Sequence, residues 1–334
     1  MPKPIRLQRR DLDMLHSLGV ARFLTIQALE WLHYPSWREN WTKHQQQPTP
    51  KRSYYPAPNL YRRLEGLRGG GYLVNIKRVQ ERATVSFNRL ADVCALTNAG
   101  AELLAEYCGI DIDQLSVHPK APRALQNLEH SVTIAQFYAA LRSQLESMYA
   151  DDARPVSLVG WQADHQLARN YDRLKNVVVR RNDQLTYVDL PVLPDAAFEV
   201  VRGETRRRYF LEMDRGTRPL DSWREKAEAY KRYYESAELQ ARYGVKHFVL
   251  LVVAPTQTRI ERIAQTIAKV ERKPTMHYIY AKVADIHPLT IQAQWQTAEK
   301  VVMHQRRVAD KIFDDPAVTM VQGPLLIIKR SNAL

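Results

Sequence analysis

The chain has 334 residues, of which 45% are hydrophobic and 25% are charged. This length exceeds what one hydrophobic core usually spans, and it predicts two domains. The composition is typical of soluble proteins, and no apolar run is long enough to cross a bilayer. These features exclude a membrane protein and make the cytoplasm the expected compartment.

Several kinds of site are excluded by what the sequence lacks. Cys94 and Cys108 are the only cysteines, they form no CxxC pair, and the ten histidines are dispersed without an HExxH pattern. Neither a thiolate zinc site nor another common structural metal site is therefore expected. The sequence also has no GxxxxGK phosphate loop, which disfavours an ATP-driven motor.

The positive charge is concentrated near the start of the chain. The formal net charge is +13, and residues 1–90 contain sixteen Lys and Arg against six Asp and Glu, a local balance of +10. A basic domain of this kind predicts a polyanionic partner, most often nucleic acid. A solvated basic surface without a partner is the alternative.

The basic quarter begins with a helical pattern. Residues 9–33 predict two short helices, with Thr25 as the N-cap of the second. A third helix is predicted over 59–68, with leucines spaced along its inner face, and three glycines at 69–71 end it. Two β-rich runs and a helix over 98–109 then complete the pattern of a winged helix-turn-helix.

In such a domain, helix 59–68 enters the major groove and the β-hairpin lies near the DNA backbone. The predicted contacts to double-stranded DNA are the basic residues of these two elements: Arg62, Arg63, Arg68, Lys77, Arg78 and Arg82. A winged helix that binds another protein is the alternative, and the basic excess favours DNA. An insertion at 34–58, rich in aromatic and basic residues, is expected either to track a nucleic-acid strand or to fold onto its own domain.

The domain boundary is predicted where the periodicity stops. Residues 1–108 form the winged-helix domain, 109–124 a linker with two prolines, and 125–334 the second domain. A long amphipathic helix over 125–149 either opens the second domain or bridges the two. From 156 onward strands alternate with helices over 219–240 and 257–271, which predicts an α/β domain with a mixed central sheet.

Acidic residues occur in two apolar runs of this second domain. The turn "RGET" at 202–205 makes 195–201 and 207–214 an antiparallel hairpin, so Asp195 and Glu212 fall on neighbouring strands. Converging carboxylates repel one another and are costly to desolvate unless a cation holds them together. Asp195 and Glu212 therefore predict a site for Mg²⁺ or Mn²⁺, a cation that can activate water against a phosphodiester.

Pro194-Asp195 followed by Glu212-Met213-Asp214 resembles the core of the PD-(D/E)xK nuclease superfamily. The resemblance implies a restriction-endonuclease-like domain in which Asp195 and Glu212 are catalytic. The usual motif ends in lysine, and here Asp214 occupies that position among the catalytic candidates. Lys226, on the following helix, is the candidate replacement. In the alternative reading these residues are structural, with Glu212 and Asp214 paired to the arginines at 206–208.

The whole arrangement resembles the plasmid replication-relaxation family. The stretches that carry the resemblance are "YRRLEGLRGGGYL", "LTNAG", "LEHSV", "LPDAAFEV", "FLEMDRGT" and "WREKAEAYKRYY". It implies a mobile-element protein that acts on DNA in replication or transfer, alongside other replication or mobilisation proteins. Metal-dependent nicking and a silent nuclease-like scaffold for copy control both remain open, as does the oligomeric state. A rolling-circle relaxase is disfavoured because the sequence has no His-x-His pair.

Overall fold

A computed structural model of the chain divides it into two compact units, Met1–Ser147 and Met148–Leu334. The structure describes residues 6–46, 56–76, 92–118, 127–148, 155–181, 184–271, 276–289, 291 and 296–297. None of the helices in these ranges is long and apolar enough to span a membrane.

The first unit combines helices with a small antiparallel sheet. Its helices are α1 (Arg9–Ala21), α2 (Ile26–His33), α3 (Trp37–Gln45), α4 (Pro58–Gly69), α5 (Asn98–Cys108) and α6 (Leu128–Met148). Its strands are β1 (Leu24–Thr25), β2 (Leu73–Asn75) and β3 (Val93–Leu96), in the order β1-β3-β2.

The helices predicted from the sequence are confirmed in this unit. The Thr25 hydroxyl accepts a hydrogen bond from the Ala28 amide at 3.1 Å, which is the predicted N-cap of α2. The leucines of α4 are buried, and the helix ends at Gly69. Gly71 then adopts a φ of +78°, a conformation that glycine tolerates at no steric cost, so the predicted helix stop is also confirmed.

The insertion at 34–58 contains a helix that the sequence did not predict. Helix α3 buries Trp37, whose ring centroid lies 6.3 Å from that of Trp31 in α2. This part of the insertion therefore folds onto its own unit, one of the two expected outcomes. The predicted hairpin contacts Lys77, Arg78 and Arg82 lie outside the described residues.

Helix α6 belongs to the first compact unit, so the boundary falls later than the sequence predicted. The predicted helix itself is confirmed. Its Ser143 hydroxyl donates to the Trp31 carbonyl at 2.8 Å, and its Leu128 and Val132 pack in a core with Phe23 of the first unit. Amphipathicity indicates that a helix has a buried face, but it does not identify the partner of that face.

The second unit is built on strands flanked by helices. Its strands are β4 (Val156–Ala163), β5 (Asp172–Arg181), β6 (Gln184–Val192), β7 (Ala196–Arg202), β8 (Thr205–Met213), β9 (Phe248–Ala254), β10 (His277–Lys282) and β11 (Gln296–Thr297). Its helices are α7 (Asp164–Leu167), α8 (Leu220–Tyr234), α9 (Ala237–Tyr243) and α10 (Gln257–Val270).

The central sheet is mixed, as predicted, which confirms the α/β class of this unit. Six strands follow the order β11-β10-β9-β8-β7-β4. β9 lies parallel to β8 and to β10, whereas the other neighbours are antiparallel. The predicted hairpin of β7 and β8 is confirmed, with Ala196 opposite Leu211 and Arg202 opposite Thr205.

The apolar stretch 185–201, which the sequence pattern does not divide, forms two strands in different sheets. β6 pairs with β5 in a separate two-stranded sheet, and β7 belongs to the central sheet. The break lies at 193–195, where Pro194 has no backbone N–H to donate to a ladder. The helix predicted over 219–240 is likewise divided, into α8 and α9.

Helix α8 covers one face of the central sheet and sets the position of its side chains. Phe210 of β8 lies at the centre of an aromatic core, with ring centroids 6.2 Å from Tyr230, 6.3 Å from Tyr233 and 4.5 Å from Phe248. Aromatic burial of this extent anchors the helix firmly against the strands. Polar residues next to this core are consequently held in defined places.

Candidate functional site

The hairpin brings Asp195 and Glu212 together. Asp195 directly precedes β7, and its amide donates to the Leu211 carbonyl at 2.9 Å. The Met213 amide in turn donates to Asp195 Oδ2 at 2.7 Å, so this carboxylate is held beside the end of β8. Asp195 is half-buried, and Glu212 is 1% exposed.

Helix α8 supplies two donors to the buried Glu212. Lys226 Nζ donates to one carboxylate oxygen, and the Tyr230 hydroxyl donates to the other at 2.5 Å. Lys226 and Tyr230 lie four residues apart, so they project from the same face of the helix. The Lys226 side chain is 26% exposed, which leaves its ammonium group at the boundary between the core and solvent.

The electrostatics of the cluster oppose the ionisation of Glu212. Burial and the charge of Asp195 raise the pKa of Glu212 against the lowering effect of Lys226. Burial acts to lower the pKa of Lys226, but attraction to Glu212 and Asp195 outweighs it, and the pKa is raised. Lys226 is therefore cationic at neutral pH, and its charge interacts with both Glu212 and Asp195.

The residues fit a divalent cation held by few protein ligands. Mg²⁺ is often bound by one or two carboxylates, with water and substrate phosphate oxygens completing its coordination. Asp195 and Glu212 supply two such carboxylates, and a cation there would offset the effects of burial and of the Asp195 charge, which raise the pKa of Glu212. Among the described residues, no group of three or more His, Cys, Asp or Glu side chains could hold a metal.

Asp214 does not join this cluster, contrary to the prediction that placed it among the catalytic residues. Its carboxylate is buried and accepts two hydrogen bonds from the Arg259 guanidinium, at 2.7 and 3.0 Å. Trp223 Nε1 donates at 3.2 Å and the Gly216 amide at 2.9 Å. Asp214 thus ties the end of β8 to α8 and α10.

The alternative interpretation paired Glu212 and Asp214 with the arginines at 206–208, and these partners are wrong. Arg206 and Arg208 both pair with Glu199 on the neighbouring strand, at 2.8 and 2.7 Å. Strand register explains this choice, because Glu199 lies directly opposite Arg208. Cross-strand neighbours pair more readily than residues further along the same strand.

The predicted DNA contacts of α4 differ in their surroundings. Arg62 and Arg68 are exposed, with local partners Asn59 and Glu65 on the same helix. Arg63 instead forms a two-pronged ion pair with the buried Asp11 of α1, with one of its hydrogen bonds at 2.9 Å. We therefore assign Arg63 to the attachment of α4 and retain the exposed arginines as candidates for DNA contact.

One known protein family matches most of the chain. The replication-relaxation family model matches residues 15–249, which cover the helices of the first unit and the carboxylate hairpin of the second. The chain belongs to the replication-relaxation family. A role connected with replication or relaxation follows from this membership.

Individual known proteins are much less similar to this family member. No curated protein matches it. Two solved structures of the restriction endonuclease FokI, one of them bound to DNA, align over 90% of the chain at 11% and 12% identity, with TM-scores of 0.24 and 0.25. The replication-relaxation chain covers 46% of each FokI chain, less than half of its length.

Two residues at the site of this replication-relaxation protein were missed from the sequence. Arg259, the partner of Asp214, lies 45 residues away on α10, and no local sequence signal marks a helix arginine as the partner of a distant carboxylate. Trp223 is three residues before Lys226 on the same helix face, and that spacing could have indicated that Trp223 lies at the site.

Proposed function

We propose that this chain nicks double-stranded DNA in a metal-dependent reaction during replication or transfer of a plasmid or other mobile element. The observation that carries the proposal is the cluster of Asp195, Glu212 and Lys226 at the end of the β7–β8 hairpin. A buried carboxylate, a second carboxylate and an ammonium group in one place are the chemical elements that metal-assisted phosphodiester hydrolysis requires.

Each residue of the cluster has a separate role in this proposal. Asp195 and Glu212 would hold Mg²⁺ or Mn²⁺. When bound, such a cation lowers the pKa of a coordinated water and offsets charge on the phosphate. Lys226 stays protonated and directs its ammonium group toward the charge that develops on the phosphate. Tyr230, whose pKa burial and Glu212 raise well above its usual value, remains a hydrogen-bond donor and fixes the Glu212 carboxylate.

The first unit would deliver the chain to DNA as a winged helix. In support, α4 follows the three helices α1, α2 and α3 and precedes the β2–β3 pair, and Arg62 and Arg68 are exposed on it. The local balance of +10 in residues 1–90 fits a phosphate backbone. Lys77, Arg78 and Arg82 complete the proposed contacts, and other replication or mobilisation proteins are the further partners. We place this activity in the cytoplasm.

A plasmid assay tests the proposal. Supercoiled plasmid is incubated with wild type, Asp195→Asn or Glu212→Gln protein in Mg²⁺, Mn²⁺ or EDTA, and the nicked circle is quantified. We expect nicking only by wild type with metal, because each substitution removes one carboxylate ligand. Asp221→Asn, which changes an exposed carboxylate at the start of α8, is the matched control and should nick like wild type.

The same assay can show instead that the nuclease-like domain is a catalytically silent scaffold. In that case wild-type protein binds plasmid DNA but leaves it supercoiled in both metals, and the carboxylate variants behave as wild type does. This result would contradict the nuclease proposal while leaving the DNA-binding role of the first unit intact.

A further inference from the structure

The two-stranded sheet of β5 and β6, here called the ribbon, has one buried and one exposed face. Four side chains of the buried face lie in the core that also holds Tyr230 of α8: Leu174, Val177, Leu190 and Val192. On the other face Val178, Leu185 and Tyr187 are 36%, 70% and 74% exposed. Val178 and Tyr187 are direct cross-strand partners, so the exposed apolar atoms are contiguous. Large apolar side chains exposed together indicate a binding surface.

The charges of the ribbon favour an anionic partner. Arg173 and Lys175 are exposed on β5. The acidic residues are held by internal donors, because Asp172 accepts from Tyr233 and Arg242, and Asp189 accepts from the Asn176 amide at 3.1 Å. Basic groups therefore accompany the exposed tyrosine, while Asp172 is paired with Arg242 and Asp189 remains exposed.

The sequence adds two more arginines at the end of β5, at 180 and 181. Aromatic and basic side chains together suit nucleic acid, because a ring stacks on bases or sugars while cations contact phosphates. Two-stranded β-ribbons of this width also fit a DNA groove.

The ribbon lies close to the proposed nuclease site. β6 ends at Val192, three residues before Asp195. Tyr187 is five residues before the end of β6, which corresponds to about 16 Å along an extended strand. Arg232 donates to the Val178 carbonyl at 3.3 Å and lies six residues beyond Lys226, about 9 Å further along α8. The ribbon is thus joined to the carboxylates by residues 193–195 and is also held by α8, the helix that carries Lys226.

We propose that the ribbon is a second DNA-contact surface, which binds the same duplex as the phosphate site at Asp195 and Glu212. This inference rests on the proposed function, because it takes the duplex at that site as its ligand. Tyr187 and Leu185 enter the groove, and Arg173 and Lys175 contact the flanking phosphates.

Binding and crosslinking with the full-length chain test this surface. Asp195→Asn protein, which should not cut, is titrated with a fluorescein-labelled 30-base-pair duplex, with and without the added pair Tyr187→Ala and Leu185→Ala. We expect the pair to weaken binding about ten-fold, the loss typical of one stacked or apolar base contact. Tyr107→Ala removes a tyrosine that is 62% exposed in the first unit and is the matched control, expected to bind as its parent does.

A photoreactive group on Tyr187→Cys should crosslink to the same duplex, and the same group on Tyr107→Cys should not. Unchanged affinity and no crosslink from position 187 would overturn the proposal. So would a change in oligomeric state without a change in DNA affinity, because the ribbon would then join copies of the chain.

These outcomes are independent of nicking. If wild type never nicks DNA but position 187 crosslinks to it, the ribbon proposal stands and the nuclease proposal is contradicted. If wild type nicks DNA and the ribbon variants bind DNA as wild type does, the nuclease proposal stands and the ribbon proposal is contradicted.

Discussion

The buried Glu212 is the residue on which the proposed chemistry depends. Its carboxylate lies among apolar side chains, where an ionised group is costly unless donors surround it. Lys226 and Tyr230 supply one hydrogen bond each. Tyr230 contacts the carboxylate and not the reacting atoms, so we expect it to position Glu212.

Tyr230→Phe should reduce the rate of nicking without abolishing it. Loss of the hydroxyl leaves one Glu212 oxygen without its donor and loosens a metal ligand, while the phenyl ring preserves the aromatic core. We expect a loss of about ten- to one-hundred-fold in activity or metal affinity, as for other groups that orient a metal ligand. Nicking measured against Mn²⁺ concentration should show a higher metal requirement. An unchanged requirement would mean that Tyr230 serves the fold alone.

Asp214 forms a buried ion pair that stabilises the end of β8. Burial acts to raise the pKa of Asp214, but hydrogen bonds from Arg259 and Trp223 outweigh it, and the pKa lies below its ordinary value. Removing one partner of a buried ion pair leaves the other charge unpaired, at a cost of about 3 kcal/mol. Arg259→Gln should therefore lower the free energy of unfolding by about this amount, measured in denaturant at pH 7.

This ion pair also has a definite pH dependence. Because the folded pKa of Asp214 is depressed, its contribution is complete above the unfolded value of about 4 and is lost as the pH falls through the folded value. Wild type should lose stability below pH 4 more steeply than Asp214→Asn, which has no proton to gain. Parallel stability curves for the two proteins would contradict this account.

In the first unit, the buried His33 should make the stability of the fold sensitive to mild acid. Burial, with the charges of Arg142, Arg10 and His16, lowers its pKa from 6.5 to about 3. The unfolded chain then binds the extra proton between these values, so stability is complete above pH 6.5 and falls toward pH 3 by up to about 1.4 kcal/mol per pH unit. His33→Gln should flatten this dependence, whereas a Gln at the exposed His277 should not.

At the scale of elements, α4 separates attachment from recognition. Arg63 is bound to the buried Asp11, and Arg62 is exposed one position earlier. Arg62→Ala should weaken duplex binding by about 1–3 kcal/mol if it contacts a base and by less if it contacts phosphate, with little loss of stability. Arg63→Ala should chiefly lower stability, because it leaves Asp11 buried without its ion partner. Salt-dependent binding and thermal unfolding of both variants separate the two roles.

Elements with a strong local signal were predictable from the sequence. The Thr25 cap, the glycines after α4 and the turn at 202–205 each depend on residues close in the chain. The β5–β6 pairing was missed because β6 and β7 read as one apolar run, and only Pro194 marks the break. Local patterns of this kind determine which element forms, whereas the partner of a buried face depends on distant residues.

At the scale of the whole molecule, the sequence predicted two units and a mixed sheet, but not where α6 packs. The carboxylate pair of the site was predictable because Asp195 and Glu212 lie on adjacent strands of one hairpin. The ion pair of Asp214 was not, because Arg259 reaches it from 45 residues away. Long-range pairing of this kind leaves no periodic signal in the sequence.

The central claim is that Asp195 and Glu212 hold one divalent cation. Its most direct test is a crystal structure grown with Mn²⁺ and measured at a wavelength where manganese scatters anomalously. We expect an anomalous peak between the two carboxylates, about 2.0–2.3 Å from an oxygen of each, with Lys226 still beside Glu212. A map with no peak there, and with Glu212 bound only by Lys226 and Tyr230, would contradict the claim.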